Sequence, residues 1–72
     1  MNNQTVKLLE TVALLKDKPE FDLLAGHVGT VVEVHSNEIL EVEFVDQHGK
    51  TFALTELSRS DLLLLKHEPV AA

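Results

Sequence analysis

Residues 26–45 constrain the fold more than any other stretch of this chain. They read Gly-His-Val-Gly-Thr-Val-Val-Glu-Val-His, then Ser-Asn-Glu, then Ile-Leu-Glu-Val-Glu-Phe-Val. Two β-branched runs on either side of a short polar break predict a β-hairpin. In the first run, Val28, Thr30, Val32 and Val34 alternate with Gly29, Val31, Glu33 and His35. Glycine inside a strand marks a bulge or a close backbone approach, and Gly29 is read that way. Ser36-Asn37-Glu38 makes the turn, with Asn37 suited to a left-handed conformation. In the second run Leu40, Val42 and Phe44 are expected to face a core, and Glu41 and Glu43 to face water.

The flanking segments extend the same architecture. Thr11-Val12-Ala13-Leu14-Leu15 is a short apolar run closed by Lys16-Asp17-Lys18-Pro19, which predicts a buried first strand. Residues 6–10 extend that strand or form a turn of helix. In the long connection that follows, Phe21, Leu23 and Leu24 are expected to tuck beneath the loop, and Gly26 to supply a positive φ. After the hairpin, Asp46-Gln47-His48-Gly49 reads as a second hairpin loop with Gly49 left-handed. Residues 51–57 form a fourth strand with Phe52 and Leu54 inward and Thr51, Ala53 and Thr55 outward. Ser58-Arg59-Ser60-Asp61 has the spacing of a helix start. Leu62, Leu63, Leu64 and Leu65 form a last strand, stopped by Lys66-His67-Glu68-Pro69. Residues 1–5 and 70–72 read as frayed ends.

This succession predicts an all-β fold: a small five-stranded SH3-like barrel with a short helical turn before the last strand. Seventy-two residues make a single domain, with an ordered core over about 6–67. A chain this short buries only roughly 60% of its unfolded surface. It has no cysteine for a disulfide or a thiolate site, so stability must come from patterning or from self-association.

The order of the blocks resembles a known family. Residues 8–15 (Leu-Leu-Glu-Thr-Val-Ala-Leu-Leu), Gly-His-Val-Gly-Thr-Val-Val-Glu-Val at 26–34, Glu-Val-Glu-Phe-Val-Asp at 41–46 and Gly-Lys-Thr-Phe-Ala-Leu at 49–54 are similar to small bacterial proteins known as a domain of unknown function. The resemblance runs from about Leu8 to Leu65. It implies an SH3-like barrel related in shape to that of nitrile hydratase β subunits, and it carries no catalytic residues. Some relatives are encoded beside a toxin-like protein, which implies an antitoxin or immunity role. The 26–34 block also resembles the KOW hairpin of ribosomal and transcription proteins, where glycine lets backbone approach RNA or a partner.

Charge argues against that last function. Twelve acidic groups face six basic ones, for a formal net charge of −6, and no Lys or Arg lies between Gly26 and Gly49. Nucleic-acid affinity comes mainly from cations that neutralise phosphates, so no nucleic-acid partner is expected, nor an anionic membrane. No stretch is long enough to span a bilayer and no signal peptide is evident, so a cytoplasmic protein is expected.

No enzymatic activity, cofactor or metal is expected. His27, His35, His48 and His67 are scattered without a helical ligand pair. Glu33 and His35 share a strand face and could hold a metal with help from elsewhere, but ordinary solvated positions explain them more simply. Glu41 and Glu43 are paired carboxylates, yet general acid–base work needs a shielded cleft. A barrel this small rarely encloses the roughly 300 Å³ of a substrate pocket. Two surfaces stand out instead. Glu33, Glu41 and Glu43 form a candidate partner-binding face for another protein. Leu62, Leu63, Leu64 and Leu65 offer a candidate homo-oligomer seam, since one side of an all-leucine strand must find cover. The expected function is a non-catalytic protein-binding module. An accessory, subunit-like barrel of an enzyme is the alternative, and RNA binding the weakest reading.

Overall fold

The computed structural model describes residues 6–65. The expected frayed ends, the strand stop at 66–69 and His67 lie outside the described residues. Five strands form one antiparallel sheet: β1 (Thr11–Leu14), β2 (Val28–Val34), β3 (Ile39–Val45), β4 (Thr51–Ser58) and β5 (Leu62–Leu65). Their order across the sheet is β4-β3-β2-β1-β5. Two 3₁₀ turns, Pro19–Phe21 and Arg59–Asp61, are the helical elements among the described residues. The chain is therefore all-β, as its alternation predicts. The barrel expected from the sequence is not closed, because β4 and β5 remain opposite edges of one sheet.

Chain connectivity nevertheless forces the sheet to coil. In a flat sheet, β4 and β5 would lie four spacings apart, about 19 Å. Ser58 ends β4 and Leu62 begins β5, and only Arg59–Asp61 join them. Four peptide units reach at most about 14 Å even when fully extended. The two edges must approach each other at this end, so the sheet wraps its own inner face.

That inner face is the core. Val12 and Leu14 of β1, Val31 of β2, Leu40, Val42 and Phe44 of β3, Leu57 of β4, and Leu62 and Leu64 of β5 are buried. Val6 and Leu23 close its margins from the connecting segments. The expected inward triplet of β3 is correct. Of the three loop residues expected beneath the long connection, only Leu23 is buried; Phe21 and Leu24 are exposed. The Lys18 and Leu23 backbones bridge across the 3₁₀ turn. Residues 6–10 form a non-helical turn, neither the strand extension nor the turn of helix expected. Glu10 N–H donates to the Lys7 carbonyl (3.2 Å), and Leu9 N–H to the Val31 carbonyl (2.7 Å). Leu9 takes a positive φ of 70° there.

Two bulges redraw the faces that simple alternation predicts. The β2–β3 register pairs Val31 with Val42, then Glu33 with Glu41, so Val32 is the extra residue. Before it, Gly29 and Val31 point inward; after it, Glu33 joins the outer face. The bulge thus lies three residues beyond Gly29, which makes a close approach instead. A Cβ at Gly29 would lie 2.7 Å from Val42 Cγ1 and 2.9 Å from both the Glu43 carbonyl oxygen and Phe44 Cδ2. The missing side chain admits this chain's own β3, which is not the ligand-facing use implied by the KOW resemblance.

The second bulge lies in β4. Phe44 pairs with Ala53 and Val45 with Thr51, leaving Phe52 as the extra residue. Val42 opposes Thr55 and Leu40 opposes Leu57, so Ala53, Thr55 and Leu57 share the inner side. The expected faces are therefore reversed from Ala53 onward, while Thr51 stays outward opposite Val45, since register fixes which side of a strand is inward. Leu54 is exposed, while Phe52 stays at the core margin with its ring 6.4 Å from Phe44 and 5.6 Å from His27.

The turns follow local chemistry. Gly26 (φ 95°) and Gly49 (φ 80°) are left-handed as expected. Asn37 is not; Ser36 organises that turn instead, its Oγ accepting from the backbone N–H groups of Glu38 and Ile39 (both 3.1 Å). Ser58 caps the second 3₁₀ turn by accepting from Ser60 N–H (3.3 Å). Asp61, the acid three residues on, is used elsewhere. It is buried, and its two oxygens meet Lys16 Nζ (3.2 Å) and Lys18 Nζ (3.0 Å). This ion triad ties the β4–β5 connection to the segment that leaves β1.

Candidate functional site

The outer face of β2, β3 and β4 concentrates the acidic side chains. Alternation in β3 turns Glu41 and Glu43 away from the core, as expected, and each is half-buried. The bulge at Val32 brings Glu33 onto the same side, opposite Glu41. On the other flank Glu56 of β4 also opposes Glu41. Glu33, Glu41 and Glu56 therefore form a single row across three adjacent strands. Directly opposed side chains have Cβ atoms about 4.5–5.5 Å apart, and like charges at that spacing are destabilising.

His35 stands beside this row. It follows β2, and its backbone N–H donates to the Ile39 carbonyl (3.0 Å), which fixes its position beside the row. Its Nε2 lies 3.3 Å from Glu41 Oε1 and 3.3 Å from Glu56 Oε2. The three donor atoms lie within 4.8 Å of one another. Glu43 is one row further on, opposite Thr30 and Leu54, and accepts a hydrogen bond from Thr51 Oγ1. The candidate face of Glu33, Glu41 and Glu43 is thus on one side of the sheet, but its members are not equivalent. Two belong to the crowded row; the third is separately satisfied.

Sequence reasoning missed Glu56. Reading Phe52 and Leu54 as inward gave this strand the wrong parity. The clue was Leu57, whose inward position makes its neighbour Glu56 outward. Sequence reasoning also coupled His35 with Glu33 as possible ligands. The structure couples His35 with Glu41 and Glu56.

Among the described residues, the other histidines are engaged differently. His27 Nδ1 accepts from the Leu24 backbone N–H (2.9 Å) while its ring meets Phe52 edge-on. His48 is exposed in the β3–β4 loop, where its backbone N–H donates to Asp46 Oδ1 (2.8 Å). Among the described residues the one buried charged side chain is Asp61. Lys18, hydrogen-bonded to it, holds its carboxyl below the usual carboxylate range; burial opposes this, and Lys16 adds to it.

The leucine strand divides between core and surface. Leu62 and Leu64 are buried and belong to the core. Leu63 is 51% exposed and stands beside Ala13, which also opposes Val28 from the other side. Leu65 is half-buried opposite Thr11. Only Leu63, with part of Leu65, reaches the outer surface at the β5 edge. Among the described residues, no helix is long and apolar enough to cross a membrane.

A family model described as Domain of unknown function (DUF4926) matches residues 8–64. No curated protein and no solved structure matches the chain.

Proposed function

The chain belongs to the DUF4926 family, a domain of unknown function, and on that premise we propose that it is a cytoplasmic, non-catalytic protein-binding module whose acidic outer face takes a basic segment of a partner protein. The observation that carries this reading is the row Glu33–Glu41–Glu56. Three register-aligned carboxylates oppose one another across the sheet, with one imidazole between two of them. A lysine- or arginine-bearing segment laid over the row removes that repulsion. A net charge of −6 steers such a partner toward the protein. Exposure of Glu33 and Glu56 places the row in solvent, unlike the shielded carboxyl that general acid catalysis requires.

The framework is best read as an SH3-like barrel left open between β4 and β5. Support comes from the strand order, the coiling forced by the three-residue connection, and the 3₁₀ turn before β5. The gene neighbourhood implied by the family resemblance makes an antitoxin- or immunity-type role the natural setting, with the neighbouring product as the partner.

The test is co-expression with that neighbouring product, followed by titration of the two purified proteins at low and moderate salt. A stoichiometric complex is expected, weakened at least tenfold by Glu41→Lys and progressively by salt, because rim charges act through screened electrostatics. Failure to form a complex at any salt concentration, or a complex indifferent to Glu41→Lys and Glu56→Lys, overturns the proposal.

A further inference from the structure

We propose that His35, Glu41 and Glu56 form a binding site for a divalent transition-metal ion of the zinc class. The three ligand types suit such an ion: one imidazole nitrogen and two carboxylate oxygens. Geometry singles out this group from the other acids. Zinc binds nitrogen and oxygen ligands at about 2.0–2.2 Å in a tetrahedron, whose ligand–ligand edges are then about 3.3–3.6 Å. The two edges from His35 Nε2 to Glu41 Oε1 and to Glu56 Oε2 are each 3.3 Å. The third edge, between the two carboxylates, lies within 4.8 Å, and Glu56 is exposed and free of the core.

The sheet holds the ligands in place before any ion arrives. Glu41 and Glu56 are paired across β3 and β4. His35 is held by its backbone bond to Ile39, and it reaches the row only because the bulge at Val32 turns the end of β2 outward. Glu33, opposite Glu41, adds negative charge beside the ion. Three protein ligands leave the fourth position open to water or to a side chain from another molecule. A divalent charge would also neutralise the repulsion that the row of glutamates builds up. The inference shares Glu41 and Glu56 with the partner-binding reading but is tested on the protein alone, so the two fail separately.

The same short contacts arise if His35 is simply protonated between two carboxylates, so the experiment must separate the two arrangements. The full chain is titrated with zinc chloride at pH 7.5 by calorimetry and thermal unfolding, and with cobalt(II) by visible absorption. One zinc per chain is expected, with Tm raised by roughly 6–11 °C at free zinc ten times its dissociation constant. Cobalt should give the intense visible bands of a tetrahedral site. His35→Ala and Glu56→Gln should each abolish both signals. His27→Ala, His48→Ala and His67→Ala should leave them intact. Absence of saturable binding up to roughly 1 mM zinc, or binding that survives His35→Ala, overturns the proposal. Both substituted residues are exposed on the outer face, so an unchanged circular-dichroism spectrum shows that loss of the ion is not loss of the fold.

Discussion

Replacing Gly29 by alanine adds one methyl group to a space that β3 already fills. The new carbon would sit 2.7 Å from Val42 Cγ1, 2.9 Å from Phe44 Cδ2 and 2.9 Å from the Glu43 carbonyl oxygen. Carbon atoms pack best at about 3.5–4.0 Å, so the overlaps approach an ångström. Val42 and Phe44 are fully buried and have nowhere to move. The carbonyl belongs to the Thr30–Glu43 pairing and can retreat only by disturbing the ladder. Overpacking of this kind costs about 1–3 kcal/mol, and three simultaneous contacts place Gly29→Ala near the top of that range. Loss of glycine's freedom in the unfolded chain offsets about 0.5–1 kcal/mol. A net destabilisation of about 2–2.5 kcal/mol lowers Tm by roughly 8–20 °C in a domain of this size. For a chain of this length, whose total stability is about 4–11 kcal/mol, this is a large fraction. Thermal unfolding by circular dichroism reads it directly. The Val42→Ala background supplies a second check, because it removes the nearest colliding atom. There the cost of Gly29→Ala should fall by about 1 kcal/mol, a coupling expected between residues in contact. A Tm decrease below about 4 °C, or no coupling to Val42, would refute the close approach.

Asp61→Ala should destabilise the protein by about 1.5–3 kcal/mol at pH 7, the range for hydrogen bonds to charged groups. The pH dependence follows from the sign of its shift. The folded carboxyl titrates below its unfolded value, so its contribution is complete above the ordinary carboxylate range and is lost as acid drives the pH down through the folded value. Urea titrations of wild type and Asp61→Ala should therefore converge as the pH falls below about 4, and parallel curves down to acid pH would contradict the ion triad. Leu9→Gly should raise Tm by a few degrees. It relieves a left-handed leucine that costs about 1–2 kcal/mol, while glycine returns part of that gain as unfolded-state entropy. Leu62→Ala and Leu63→Ala test the orientation of β5. The first removes a core side chain and should cost about 2–5 kcal/mol, while the second should cost less than about 1 kcal/mol. Equal effects would contradict the assigned faces, and a shift in sedimentation with Leu63→Asp would reveal self-association through this edge.

The strands themselves were legible in the chain. Uninterrupted alternation in Ile39–Val45 specifies its inner and outer residues without help, because a two-residue period admits only two orientations and just one buries Leu40, Val42 and Phe44. The turns at Gly26 and Gly49 were equally plain, since few residues other than glycine take those φ angles. The candidate site was only half visible. Glu33, Glu41 and Glu43 could be grouped by strand, but His35 and Glu56 could not be joined to Glu41.

Bulges are the reason. Each inserts a residue that shifts every later side chain to the other face, and its location is set by the partner strand rather than by local preference. Val32 could be assigned to a regular alternation from sequence; only the pairing with β3 shows that it is skipped, and that Glu33 and His35 therefore turn outward. Phe52 plays the same part in β4, reversing Leu54 and exposing Glu56. Coiling of the sheet is likewise a tertiary property, imposed by a three-residue connection between strands that local pattern cannot place at opposite edges. Composition and periodicity determined that this chain is an acidic, five-stranded all-β domain. Which acids meet, and that one histidine stands between two of them, was decided by register, because register depends on contacts between residues that are distant along the chain.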